Sequence, residues 1–146
     1  MPGNWPLSPG ILRGGTAEAL MPIYHKQFDS LPAHTERLFR TIFPAGTGGA
    51  RCSLHENVLV PQAVIPLHHH SVVEVLICLD GTAECSLNGA AAEPYESGSV
   101  VVIPANTPHT IRNTGASYLR QLSFLAGESP STQWLESPGS VDHLAP

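Results

Sequence analysis

Val72-Val73-Glu74-Val75-Leu76-Ile77-Cys78-Leu79-Asp80-Gly81-Thr82-Ala83-Glu84-Cys85-Ser86-Leu87-Asn88-Gly89 holds two short runs, each stopped by a dipeptide that tolerates positive φ. Asp-Gly and Asn-Gly are the strongest local marks of the tight turns that join β-strands. Working outward, Arg37–Phe43, Ala50–Val60, Ser99–Ile103, Thr110–Asn113 and Tyr118–Leu125 have the same strand-like length and composition. Pro44-Ala45-Gly46, Glu96-Ser97-Gly98 and Thr114-Gly115 separate them. Strands spaced by roughly ten residues, with no helical periodicity between them, predict an all-β sandwich or barrel rather than a parallel α/β sheet.

Composition narrows the function classes. The chain has 146 residues, enough for one domain that buries about two thirds of its unfolded surface. Its formal charge is −5, with only seven basic residues, so it carries no electrostatic footprint for nucleic acid or an anionic membrane. No apolar run approaches the length of a membrane span, and Met1-Pro2-Gly3-Asn4-Trp5-Pro6 does not read as a secretion signal. Cys52, Cys78 and Cys85 are odd in number and lack C-x-x-C spacing, which predicts free thiols and a soluble cytoplasmic protein. Residues 1–34 read as an irregular Pro- and Gly-rich segment with one helical turn at Thr16–Met21. Residues 35–126 read as the barrel, and residues 127–146 as a loosely docked tail. Open sheet edges favour a homodimer, with part of the N-terminal segment exchanged between subunits.

Just before Glu74 stands Pro66-Leu67-His68-His69-His70, and Pro104-Ala105-Asn106-Thr107-Pro108-His109 follows another apolar run. Imidazole is the commonest protein metal ligand, and a carboxylate adds charge and hardness. His68 and His70 share a face of an extended chain, roughly 6–7 Å apart at the backbone, close enough to share an ion; His69 faces the other way. Four extended residues from His70 to Glu74 cover roughly 13 Å, so Glu74 joins only if the chain bends around Ser71–Val73. Taken singly, each histidine reads as an ordinary hydrogen-bonded side chain. A carboxylate set among Val72, Val73, Val75, Leu76 and Ile77 needs a cation if it points inward.

From His68 the chain reads H-x-H-x3-E-x6-G to Gly81, and from Gly98 it reads G-x5-P-x-N-x2-H-x3-N through Pro104, Asn106 and His109 to Asn113. These stretches resemble the two signature motifs of the cupin superfamily. The resemblance covers roughly Thr35 to Ala126 and implies a small double-stranded β-helix, or jelly-roll barrel. It also implies that His68, His70, Glu74 and His109 are metal ligands. Two positions depart from the family pattern, where Gln62 and Asn106 stand in place of glycines. Asn tolerates the left-handed conformation, whereas Gln62 suggests a different turn.

Three imidazoles and a carboxylate suit Fe, Mn, Ni, Co or Zn. With positions left open, such a metal serves oxygen activation, carbonyl polarisation or water ionisation on a small-molecule substrate. A dioxygenase-type enzyme acting on a small oxygen-bearing metabolite is the leading expectation. Isomerase, lyase and decarboxylase chemistry are further options, and a metal-containing binding or sensor protein is the alternative. Phe39, Phe43, Leu59, Ile77, Leu87, Val101, Ile103, Leu122 and Phe124 are core candidates, and Cys78 reads as a small core residue near the site. One of Arg37, Arg40, Arg51, Arg112 and Arg120 has the chemistry to hold an anionic substrate at the mouth, but parity does not single it out.

Overall fold

The computed structural model describes residues 36–139 and the backbone of 142–144; the N-terminal segment, its helical turn and its exchange in a dimer lie outside the described residues. The strands are β1 (Arg37–Phe43), β2 (Cys52–Leu59), β3 (Val64–His70), β4 (Glu74–Asp80), β5 (Thr82–Leu87), β6 (Glu93–Glu96), β7 (Val100–Ile103), β8 (His109–Asn113), β9 (Leu119–Ala126), β10 (Thr132–Trp134) and β11 (Asp142–Leu144). Among the described residues there is no α-helix. A six-stranded sheet runs β11-β1-β2-β9-β4-β7, and a five-stranded sheet runs β10-β3-β8-β5-β6. All neighbours are antiparallel except β1 and β11.

The pairing follows one rule. β5 pairs with β6, β4 with β7, β3 with β8 and β2 with β9. The chain from β2 to β9 is thus one long hairpin with its tip at Asn88-Gly89, wound so that successive pairs fall alternately in the two sheets. That is a jelly roll. Asn88 and Gly89 both take positive φ, 52° and 72°, as their turn requires. The other dipeptide works differently from the hairpin the sequence suggests. β4 and β5 lie in different sheets, so Asp80-Gly81 turns a corner between sheets. Gly81 has φ 93°, and a Cβ there would meet the Tyr118 carbonyl oxygen at 2.7 Å, so only glycine fits.

β1 and β5 have the bounds their sequences predict, but β3 and β6 carry Pro66 and Pro94, which hid them. Pro94 is tolerated because β6 is an edge strand. Pro66 sits in a register shift of β3 between Ile65 and His68, where a bulge removes the need for its missing N–H. Gln62 corrects another expectation. It adopts the left-handed φ of 67° that a glycine would take, so the turn is kept by a strained residue. Asn106 likewise takes φ 57°.

Leu59, Ile65, Leu76, Cys78, Ala83, Cys85, Tyr95, Ile103, Ile111 and Leu119 form the core between the sheets, with Leu87 and Val101 packed against it. The expected core residues Phe39, Phe43, Ile77, Leu122 and Phe124 are only half-buried. On β9 the parity is inverted: Gln121, Ser123 and Leu125 point inward, while Leu122 and Phe124 take the outer face. Inward polar residues are stable there because they have partners. Tyr95 donates to Gln121 at 2.7 Å, and Ser123 donates to Glu74. On the outer side of the same sheet, Glu56 is 1% exposed and accepts from Arg40 and from Arg120, the latter at 2.8 Å.

Candidate metal centre

His68 and His70 leave β3 on the same side, and His109 opens β8 directly opposite His68 in the ladder. The five-stranded sheet therefore presents three imidazoles as one group. Glu74 comes from the other sheet. The chain bends at Ser71 and Val72, crosses between sheets, and starts β4 with Glu74 facing inward. That bend is the one the spacing demands. All four side chains are buried, and one ligand atom from each lies within 4.8 Å of those of the other three.

Hydrogen bonds on the far side of each ring set its orientation. His68 Nδ1 donates to the Pro66 carbonyl at 2.7 Å, and His109 Nδ1 donates to the Thr107 carbonyl at 2.9 Å. A carbonyl only accepts, so both imidazoles carry their proton on Nδ1 and keep the Nε2 lone pair for the centre. His70 Nδ1 is held by Thr132 Oγ1 at 2.9 Å, which β10 brings alongside β3. Ser123 donates to Glu74 Oε1, leaving Oε2 pointed at the imidazoles.

The electrostatics match a cation. Glu74 Oε2 lies 3.3 Å from His70 Nε2 and 3.1 Å from His109 Nε2. These are charge-pair distances without hydrogen-bond alignment: His70 Nε2, His109 Nε2 and Glu74 Oε2 are buried with no hydrogen-bond partner. Three orphaned polar atoms aimed at one point are costly unless something electrophilic sits between them. Burial pushes His68 down to about 4, with the neighbouring His109 adding to the effect, so its ring is neutral at ordinary pH, the form that can bind a metal. Burial alone would raise the Glu74 carboxyl. Its contacts with His109, His70 and Ser123 outweigh that and hold it well below the usual carboxylate range.

The centre opens into a cavity of about 160 Å³. Arg37, Phe39, Asn57 and Trp134 line it, and none of these was singled out as a cavity residue by sequence. Trp134 covers His68, ring centre to ring centre 4.7 Å. Its strand falls in the segment expected to dock loosely, which pairs with β3 through Thr132–Trp134. The alternation Gln121-x-Ser123 in an otherwise apolar run was the available signal for β9's inner face. Of the five arginines among the described residues, only Arg37 lines the cavity; Arg40 and Arg120 pair with Glu56, Arg51 with Glu128 at 3.0 Å, and Arg112 with Glu84 at 3.8 Å. His69 stays out of the cluster, and Cys78 lies in the core.

Comparison with known proteins agrees with the fold. Residues 55–124 match the cupin domain family. No curated protein matches the chain. Among solved structures, an arginine-to-alanine variant of Bacillus subtilis oxalate decarboxylase is similar with TM-score 0.55 at 20% identity, over 58% of this chain and 24% of that one. The same enzyme, in a structure concerned with its Mn(II) centres, has TM-score 0.54 at 21% identity over the same shares. Pumpkin seed globulin has TM-score 0.54 at 15% identity, over 57% of this chain and 28% of the globulin. At these identities the likeness is one of fold, and the chain spans about a quarter of the length of these proteins.

Proposed function

The chain belongs to the cupin superfamily, and we propose that it is a metal-dependent member in which His68, His70, Glu74 and His109 hold one divalent transition metal. The observation that carries this reading is the set of inward Nε2 and Oε2 atoms, buried, unpartnered and gathered within 4.8 Å. Three nitrogens and one oxygen suit Mn, Fe, Co, Ni or Zn, and the Mn(II) centres of a protein with the same fold support that class. Held by these four residues, such a metal would supply Lewis acidity toward a small oxygen-bearing metabolite. The chain itself contributes the rest. Pro66, Thr107 and Thr132 hold the rings in place, Ser123 holds the carboxylate, and Trp134 shields His68 from water.

Turnover with dioxygenase-type chemistry is the favoured use of this site, because all four ligand positions are kept beside a cavity. Oxygen uptake by the Fe(II)-loaded protein over catechol, β-diketone, thiol and flavonol substrates tests it. Uptake with one class supports the enzyme. Tight ligand-induced stabilisation with no turnover under any metal supports a binding or sensor protein instead. We further propose a cytoplasmic homodimer. The free cysteines Cys52, Cys78 and Cys85 favour a reducing compartment. Val100 and Val102 are 59% and 60% exposed on the outer face of edge strand β7, a surface suited to a second copy. A monomer in sedimentation at micromolar concentration would rule the dimer out.

A further inference from the structure

Among the described residues, Arg37 is a buried cation without an acid. It is 4% exposed, and its guanidinium makes one hydrogen bond among those residues, from Nη2 to the Pro138 carbonyl at 3.1 Å. No carboxylate pairs with it among the described residues, although the four other arginines of the barrel each have one. A buried charge of this kind is expensive unless a counter-ion arrives. Beside it lies Asn57, 6% exposed and lining the same cavity, whose amide makes no side-chain hydrogen bond among the described residues. The two are diagonal neighbours on the inner face of β1 and β2, since Arg37 pairs with Leu59 and Phe39 with Asn57. Trp134 links this pair to the metal centre. Its ring centre is 5.2 Å from the guanidinium carbon and 4.7 Å from the His68 ring centre, so the cation lies within those two spans of the ligand histidine.

Between the two polar ends the walls are Phe39, Ile65, Ile111 and Leu125. The cavity of about 160 Å³ is close to the roughly 150 Å³ that admits benzene in an engineered protein. A single guanidinium with a planar amide suits one carboxylate, held by parallel N–H bonds. Phosphate dianions and dicarboxylates would leave charge against apolar walls.

Resting on the metal reading above, we propose that the cavity binds a small monocarboxylate with an apolar, ring-sized body. Its carboxylate pairs with Arg37 and Asn57, and a second oxygen reaches the centre of His68, His70, Glu74 and His109. Arg37 is a specificity determinant supplied by β1, outside both sequence motifs.

Matched acids and amides test this with the full chain. Mandelate against mandelamide, and salicylate against salicylamide, are titrated calorimetrically into Co(II)-loaded and metal-free protein, while the cobalt absorption spectrum reports metal occupancy. At least one acid is expected to bind at least about tenfold more tightly than its amide. Arg37→Gln should remove most of that preference and leave the cobalt stoichiometry unchanged, and Arg37→Lys should keep part of it. If Arg37→Gln does not fold, Asn57→Ala is read the same way, with a reduced acid preference expected. Acid and amide binding alike, neither acid binding at millimolar concentration, or an undiminished preference in Arg37→Gln would overturn the inference. Failure of cobalt to bind would sink the metal reading alone, because the metal-free titration still decides the role of Arg37.

Discussion

The two ends of this barrel are built from the same strands with opposite chemistry. Toward one end, β4 and β9 turn Leu76, Cys78 and Leu119 inward, and these pack with Ala83, Cys85 and Tyr95 into an apolar core. Toward the other, the same two strands turn Glu74 and Ser123 inward, against His68, His70 and His109 from the opposite sheet. The backbone does not change between the halves. The difference lies in which atoms meet. At the closed end the contacts are mainly apolar and leave a single inward polar atom, Gln121 Nε2, without a partner among the described residues, whereas at the open end His70 Nε2, His109 Nε2 and Glu74 Oε2 are gathered together unpartnered. Stability is concentrated in one half, and unspent electrostatic interaction in the other.

Mutations at the closed end should cost folding and spare the metal. Gly81→Ala at the corner should have the largest effect. A Cβ there presses on the Tyr118 carbonyl at 2.7 Å in a backbone conformation that side chains resist, so a loss of about 4 kcal/mol in urea unfolding, or failure to fold, is expected. Leu76→Ala, at 1% exposure, should cost about 3 kcal/mol while the folded fraction keeps its metal. In metal-free protein, by contrast, His68→Ala should cost less than Leu76→Ala, because the ring gives up one hydrogen bond to the Pro66 carbonyl while easing the crowding of polar groups around Glu74. A cost equal to that of Leu76→Ala would erase the distinction between the halves.

Acid should weaken the metal-free protein through the open end. His68 has a folded value of about 4, below its ordinary 6.5, so the unfolded chain binds more protons between these limits. Stability is therefore full above about pH 6.5 and falls as the pH drops toward 4, by about 2–3 kcal/mol from this residue. Glu74, whose folded value is depressed, adds a further loss below its ordinary value of 4.5. Urea midpoints across this range measure the effect, and His68→Ala should flatten the upper part of the profile.

The smallest effect belongs to the turn before β3. Gln62→Gly relieves a left-handed glutamine at φ 67° but loses its 2.6 Å hydrogen bond from Arg112. A net gain of about 0.5 kcal/mol is expected, read as a small rise in melting temperature.

How much of this was written in the chain depends on what each residue answers to. Strand β5 and the Asn88-Gly89 tip answer to local propensity, and they stand where the sequence puts them. The grouping of His68, His70, Glu74 and His109 was legible through the resemblance to the two cupin motifs, with the carboxylate among valines as a local hint, and the bend at Ser71–Val72 follows from reach alone. Strand β3 was hidden by Pro66, whose cost is absorbed by a bulge visible only in the pairing with β8. The inward face of β9 was misread because Leu122 and Phe124 suggest a core, whereas Glu74 and Tyr95 across the barrel make Ser123 and Gln121 the better inward residues. Arg37, Asn57 and Trp134 converge through long-range pairing of β1, β2, β3 and β10, which no local pattern encodes.

The most direct test of the open end is metal content by elemental analysis after reconstitution and gel filtration, for wild type and for His68→Ala, His70→Ala and His109→Ala. One divalent transition metal per wild-type chain, with stoichiometric binding lost in each variant, is the expected result. Unchanged metal content in all three variants would contradict the assignment of this cluster as the metal centre.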